Sequence, residues 1–416
     1  MNRPLILLIL IMCSSGTTGA AQSLEQYLLR AARENPAIKA SYSEFQAALE
    51  EVPQVRSLPD PQLTMTAFGS MVETRLGPQE ARFSLMQMFP WFGTLEAREE
   101  VAAIMAEARF QDFLERRNAI LYEVSQRYYE LFALEKQLEF QEENLEIVSD
   151  LKSLALSQVR AGTGSLADVL QTEIRIDQNR TSLQVLELKR SSIAAALNLL
   201  LNRPSETPVI IDGEIDLEAI TDTLSPEHNP KVEEMELMAA AYRARKEVAR
   251  KEGYPSMGIG LDYVIIGERH DMVVDQSGRD AIMPMLSVSL PIFRKKNRAA
   301  QRQAGLMAAS YLQEKEAREN ELRANWEAAH FDMAEALKLL ELYQKQIKNA
   351  EEVLQLLTSS YQNAGSRFRE ILEIRQDLLG YRFSKAAAMA DYAEAKARLK
   401  YLNGNIFKDY DNKEQE

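Results

Sequence analysis

Carboxylates, methionines and three histidines are the groups in this 416-residue chain whose type and spacing can support chemistry. Glu370 and Glu373 stand three apart, hence on one helix face, just after the stretch YQNAGSRFREIL (361–372). Arg367 precedes them and can offer a counter-charge. Such a pair attracts cations. Acids also suit the positive end of a helix dipole, so the pattern alone fits a solvated helix start equally well. His228, His270 and His330 are isolated, with no His or Cys partner at i+3 or i+4, so no metal-ligand spacing is present. No Gly-rich loop follows a strand to cradle phosphate. With no catalytic constellation, neither an enzyme nor a bound cofactor is expected. The balance of 49 basic against 62 acidic residues, formally −13, argues against a nucleic-acid partner.

The methionines are unevenly placed. Met65, Met71, Met86, Met88, Met257, Met272, Met283 and Met285 are half of the 16, and all fall in two short strand-like modules. Thioethers suit soft Cu(I) or Ag(I), but methionine is also a flexible apolar filler. Both readings stay open from sequence.

The elements that position these groups are long rods. Almost no Gly or Pro interrupts 95–160, which as a helix would extend roughly 100 Å. The stretch VRAGTGSLADVL (159–170) breaks it, and helical pattern resumes over 165–202, ending at Arg203-Pro204. The arrangement returns as a rod over 295–362, the turn near Tyr361 and a shorter helix over 368–402. Asn35-Pro36 and Asn229-Pro230 each open a helix, with Asn as cap and Pro at the first position. These helices should run to about Ser57 and to a point before Pro255. A short helix over 24–34 is expected before them, with Ser23 and Gln26 as a capping box. Strand-like alternation covers 62–68, 81–89, 256–265 and 285–290, with 69–80 read as a loop. Strand-ending prolines at 90 and 291, and hairpin glycines at 162 and 365, recur at an offset of about 200, the mark of an internal duplication. Helices 36–57 and 165–202, laid end to end, match the rod 95–160 in length and can pair along it, antiparallel.

The N-terminus reads as a secretory signal, with Arg3, an apolar core over 5–12 and small residues Thr18-Gly19-Ala20-Ala21 for cleavage. Cys13, the single cysteine, lies within it, and Met12 is a poor neighbour for lipid attachment. No other stretch is apolar for long enough to make a membrane-spanning helix. The expected organisation is a signal peptide (1–21), a first repeat (22–205), a linker (206–228) with a short helix near Leu217, a second repeat (229–404) and a polar tail (405–416).

In the order and duplication of these motifs the chain resembles the TolC-like outer-membrane efflux proteins. The resemblance rests on the Asn-Pro helix starts, FPWFG (89–93), LPIF (290–293), GTGSLADVLQTE (162–173) and LLNRP (200–204). FPWFG followed by Thr looks most like the CusC-like heavy-metal branch. The implied fold is mainly α with a small transmembrane β part. Three chains would pool twelve strands into a barrel and twelve helical columns into a periplasmic tunnel. The implied function is a passive outer-membrane exit duct in a tripartite efflux system, set in outer-membrane lipid. It would dock on a periplasmic adaptor and an RND-type inner-membrane pump. The resemblance also implies a constriction at the helical turns, formed by Asp168, Tyr361, Arg367, Glu370 and Glu373, though the spacing around Gly365 departs from the family pattern. Gly162, Gly164, Ser165, Leu166 and Gly365 would contact the adaptor. The competing reading is a soluble periplasmic coiled-coil adaptor, which would need one hairpin and lipoyl-like segments where this chain has two equivalent hairpins.

Overall fold

The computed structural model describes residues 23–211, 215, 217, 223–364 and 368–404. The first half runs α1 (Leu24–Glu34), α2 (Pro36–Arg56), β1 (Gln62–Thr74), β2 (Gly77–Phe89), α3 (Thr94–Arg160) and α4 (Leu166–Leu200). After a 3-10 turn (Pro226–His228), the second half repeats the order: α5 (Pro230–Lys251), β3 (Met257–Ile266), β4 (Ala281–Val288), α6 (Arg294–Ala364) and α7 (Phe368–Leu402). The signal, the C-terminal tail and most of the linker lie outside the described residues. No helix among those described is long and apolar enough to cross a membrane.

Both rods form at the expected limits because their sequences contain strong helix formers and no interior proline. Helix α3 packs against α2 and α4 on one side and α5 and α7 on the other, and α6 packs against α5 and α7. The helices therefore make four columns in the order α2/α4, α3, α5/α7, α6. Apolar residues spaced mostly by threes and fours along α3 form a buried seam: Leu121, Val124, Tyr128, Leu131, Leu134, Leu138 and Val148 are all in the core, with Leu197 of α4 fully covered. Leu145 is only half-buried.

The two composite columns are spliced by one device used twice. Asn35 caps α2, its side-chain oxygen accepting from the Ala37 and Ile38 amides, while its Nδ2 donates to the Leu200 carbonyl at 2.8 Å. Asn229 caps α5 through Lys231 and donates to the Leu402 carbonyl at 2.9 Å. One amide thus satisfies a helix start and a helix end, groups that are orphaned when helices abut. Asn35→Ala should cost about 1 kcal/mol for the cap, and ~1–3 kcal/mol more for the stranded carbonyl. Asn35→Ser should keep the first contribution and lose the second. Thermal melts in detergent check the order wild type > Ser > Ala; equal melting of all three would show the splice to be dispensable.

Three local expectations need correction. Ser23 stands at the start of α1, but its side chain makes no capping bond, so the capping box does not form. Residues 69–80 are not a loop: β1 continues to Thr74 and β2 begins at Gly77. An irregularity between Ala67 and Val72 shifts the register there, which hides the alternation in the sequence. Strand β4 occupies 281–288 rather than 285–290. Pro284 lies inside it, and β4 is an edge strand, where a missing N–H is tolerated.

Among the described residues the sheet is antiparallel in the order β1-β2-β3-β4, with one edge of β1 and one edge of β4 unpaired. Its faces are inverted relative to a soluble sheet. Along β3, Ile259 (61 % exposed) and Leu261 are open, while Gly258, Gly260 and Asp262 are buried. Leu63, Met65, Leu85, Ile282 and Leu286 share the exposed apolar face. Below the strands, Trp91 stacks on Tyr254 at 5.2 Å, and Phe92, Ile292 and Phe293 stand exposed. Gly93, in left-handed backbone (φ 74°), turns the chain into α3, and its carbonyl accepts from Lys251 Nζ at 2.9 Å.

Candidate functional site at the helical turns

α3, α4, α6 and α7 come together at the end of the bundle away from the sheet. Leu151 and Ala155 of α3, Val169 of α4, Tyr361 of α6 and Phe368, Ile371 and Leu372 of α7 form one apolar cluster. This cluster fixes how the two hairpin tips sit relative to each other. In the first turn, Gly162 takes left-handed backbone (φ 76°) and the amides of Thr163 and Gly164 both donate to the Gln158 carbonyl. A β-carbon on Gly164 would lie 2.6 Å from Gln158 Cβ, so the tight turn requires glycine there. Ser165 then caps α4 through the Ala167 amide at 3.2 Å.

Tyr361 is fully buried, its ring 5.0 Å from Phe368, and its hydroxyl has no hydrogen-bond partner. Burial raises the phenol pKa, and the charge of Asp168 raises it further. Glu370 and Glu373 lie on α7 with exposed side chains, on the side opposite the buried Ile371 and Leu372. Gly365 and Arg367 fall outside the described residues. Leu166, Leu170 and Ile174 form an exposed apolar stripe down α4 at 62 %, 52 % and 58 % exposure, with Lys152 of α3 paired to Glu173 at 2.8 Å beside it.

A second charged feature sits further along the bundle and was not singled out in the sequence. Tyr122 of α3, Asp332 and Glu335 of α6, and Asp391, Glu394 and Arg398 of α7 line a cleft of about 230 Å³. Tyr122 stacks on Tyr401 at 5.2 Å, and Gln126 Nε2 donates to Glu394 at 2.7 Å. Burial, then the Glu394 charge, pushes the Tyr122 phenol up to about 12. The Asp391 carboxyl is raised from its ordinary value, first because the cleft removes part of its water, then because Glu394, Glu335 and Asp332 repel its charge. The signal was present as two i,i+3 acid pairs, but in a chain 27% charged such pairs are common. A carboxyl whose folded pKa is raised weakens the fold when ionised; the penalty is relieved as pH falls through the folded value towards the unfolded one. Asp391→Asn should therefore melt above wild type near neutral pH, and the gap should close on acidification to about pH 4. A constant gap at all pH values would mean that the charge is not the cause.

A duplicated chain with an inside-out sheet at one end and paired helical turns at the other defines a TolC-like channel fold. A family model described as outer membrane efflux protein matches residues 28–203 and 224–405, and the chain belongs to that family. It is similar to protein CyaE of Bordetella pertussis, 23% identical over 274 residues, covering 62% of this chain and 58% of that protein, less than two thirds of its length. It is also similar to nodulation protein T of Rhizobium leguminosarum bv. viciae, 22% identical over 403 residues, covering 91% of this chain and 81% of that one. The solved structure of CusC shares the fold, with TM-score 0.78, 16% identity and 92% of each chain covered. The family is one of efflux proteins, and the soluble-adaptor alternative is not favoured.

Proposed function

We propose that this protein is the outer-membrane exit duct of a tripartite efflux assembly, working as a homotrimer. The carrying observation is the sheet: four strands with two unpaired edges and an exposed apolar face. Lipid cannot satisfy open edges, and four strands are too few to close on themselves. Three copies give twelve, an allowed even number for such barrels. The helical columns carry matching support, because α2/α4 and α6 are both edge columns and both carry exposed apolar residues.

In this reading the aromatic residues around Trp91 and Phe293 lie at the membrane–periplasm boundary, and the helices form a periplasmic tunnel. A cleaved signal over 1–21 delivers the chain, and a linker over 206–228 joins the repeats. The repeats are 22–205 and 229–404. The turns form the constriction, with Asp168, Tyr361, Arg367, Glu370 and Glu373 as gate residues. Gly162, Gly164, Ser165, Leu166 and Gly365 face a periplasmic adaptor, which links the duct to an RND-type pump in the inner membrane. The exposed backbone-rich first turn and exposed Leu166 support that contact. The cargo is a small solute or metal ion.

Detergent-purified protein in planar bilayers tests the duct. Discrete cation-favouring conductance, together with a trimer-sized band on unheated gels, is expected. Protein that needs no detergent and never conducts would remove this reading.

A further inference from the structure

The face of the sheet on which Gly258, Gly260 and Asp262 are buried carries partly buried methionines from both neighbouring strands. Strand β2 places Met86 and Met88 on this face and β4 places Met283 and Met285 there. Between them β3 offers glycine at both central positions: Met88 pairs with Gly258, Met86 with Gly260, and Gly260 with Met285. With no side chain on β3 at that level, thioethers from both neighbouring strands lean over the gap. A β-carbon on Gly258 would lie 2.6 Å from Met88 Sδ and 3.1 Å from Met86 Sδ. One on Gly260 would lie 2.8 Å from Met86 Cε and 3.2 Å from Met285 Cε. Met86 therefore touches both glycine positions and brings β2 and β4 side chains together across a full strand.

The next residue on this face is Asp262, only 4 % exposed, opposite Ser84 and Met283. Its Oδ1 has no hydrogen-bond partner, and its Oδ2 lies 3.9 Å from Arg82 Nε, a loose pairing at best. A buried carboxylate with an unsatisfied oxygen is costly unless something compensates it. Among the described residues, no group of three or more His, Cys, Asp or Glu could hold a metal, so harder cations have no comparable site.

We propose that Met86, Met88 and Met285, gathered over Gly258 and Gly260, form a thioether site for a monovalent soft metal ion, Cu(I) or Ag(I). Thioethers select such ions over Zn(II), Ca(II) or Na(I). The inference rests on the duct reading, in which this face lines the lumen, so that an ion held there would contact the barrel wall. Glycines at 258 and 260 are then required as space for the ligands.

The test is Ag(I) titration of the full-length protein in detergent and nitrate buffer, followed by calorimetry and by metal analysis after gel filtration. The variants are Met86→Leu/Met88→Leu/Met285→Leu and, separately, Gly260→Val, which fills the gap and leaves every thioether in the chain. Wild type should retain Ag(I) in the presence of excess Zn(II), and both variants should bind at least about tenfold more weakly, since even altering a neighbour of a metal ligand costs 10–100-fold. Absence of Ag(I) binding by wild type overturns the site. Equal binding by the folded Leu variant or by Gly260→Val overturns it too, by assigning the ion to other methionines. Conductance of the same wild-type preparation separates the two ideas: a conducting protein without Ag(I) binding loses only the metal site, whereas a non-conducting one loses the duct.

Discussion

Glu370→Gln/Glu373→Gln with Arg367→Ser is expected to widen the conductance of the channel and remove most of its preference for cations. In a threefold assembly these positions would gather six carboxylates about one axis, and Arg367 would be the group able to tie neighbouring chains together there. Charged, narrow passages raise local counter-ion concentration by roughly 10–10³-fold, so the cation preference should fall by about tenfold or more at low salt and less at high salt, where screening is strong. Both glutamates already stand exposed on the face of α7 opposite its apolar contacts. Neutralising them should therefore leave the core cluster of Tyr361, Phe368 and Ile371 intact. Reversal potentials across a salt gradient, measured beside single-channel current, provide the check. Unchanged selectivity and current in the triple variant would remove the constriction from these turns.

An equally large effect is expected from Leu170→Glu/Ile174→Glu. The two side chains lie one helical turn apart on α4, in line with Leu166, and are 52 % and 58 % exposed. Column α6 at the opposite edge shows exposed Leu342, Val353 and Leu356. A second copy seated with α4 against α6 would bury Leu170 and Ile174 against the α6 stripe, each large side chain contributing at most about 1.5–3 kcal/mol. Introduced carboxylates would forfeit that gain and would be desolvated without partners, a penalty of several kcal/mol per ion, and the threefold arrangement applies it three times. The trimer-sized band should disappear from unheated gels while the helical circular dichroism of the chain persists, because neither residue contributes to its own core. Persistence of the trimer would place the contact elsewhere on the bundle.

Much of this molecule is determined by local chemistry. Proline, glycine and asparagine punctuate it so clearly that the limits of α1, α3 and α7 follow within about a residue from the sequence. The duplication follows from the spacing of those same residues. The apolar seam of α3 is equally legible, because a 3-4 spacing has only one buried outcome once a partner helix of equal length is present. The end-to-end stacking of α2 and α4 was legible as a match of lengths, but the splice was not. That Asn35 and Asn229 reach across to Leu200 and Leu402 depends on contacts 165 and 173 residues apart in sequence.

Tertiary structure decided what spacing could not. Tyr361 carries no sequence mark of burial, and is fully buried in a cluster that joins Leu151 and Val169 of the first hairpin to Phe368 and Ile371 of its own. The acidic cleft beside Tyr122 requires three helices to bring ordinary surface-type acids together. The clustering of methionines was visible in the sequence, but their convergence was not, because it depends on the register that sets Met86 and Met285 on either side of Gly260. A strand's sequence fixes which residues share a face, since its period is two. Which face is buried, and which strand lies alongside, is set by pairing between segments about 170 residues apart, and only the folded chain supplies that.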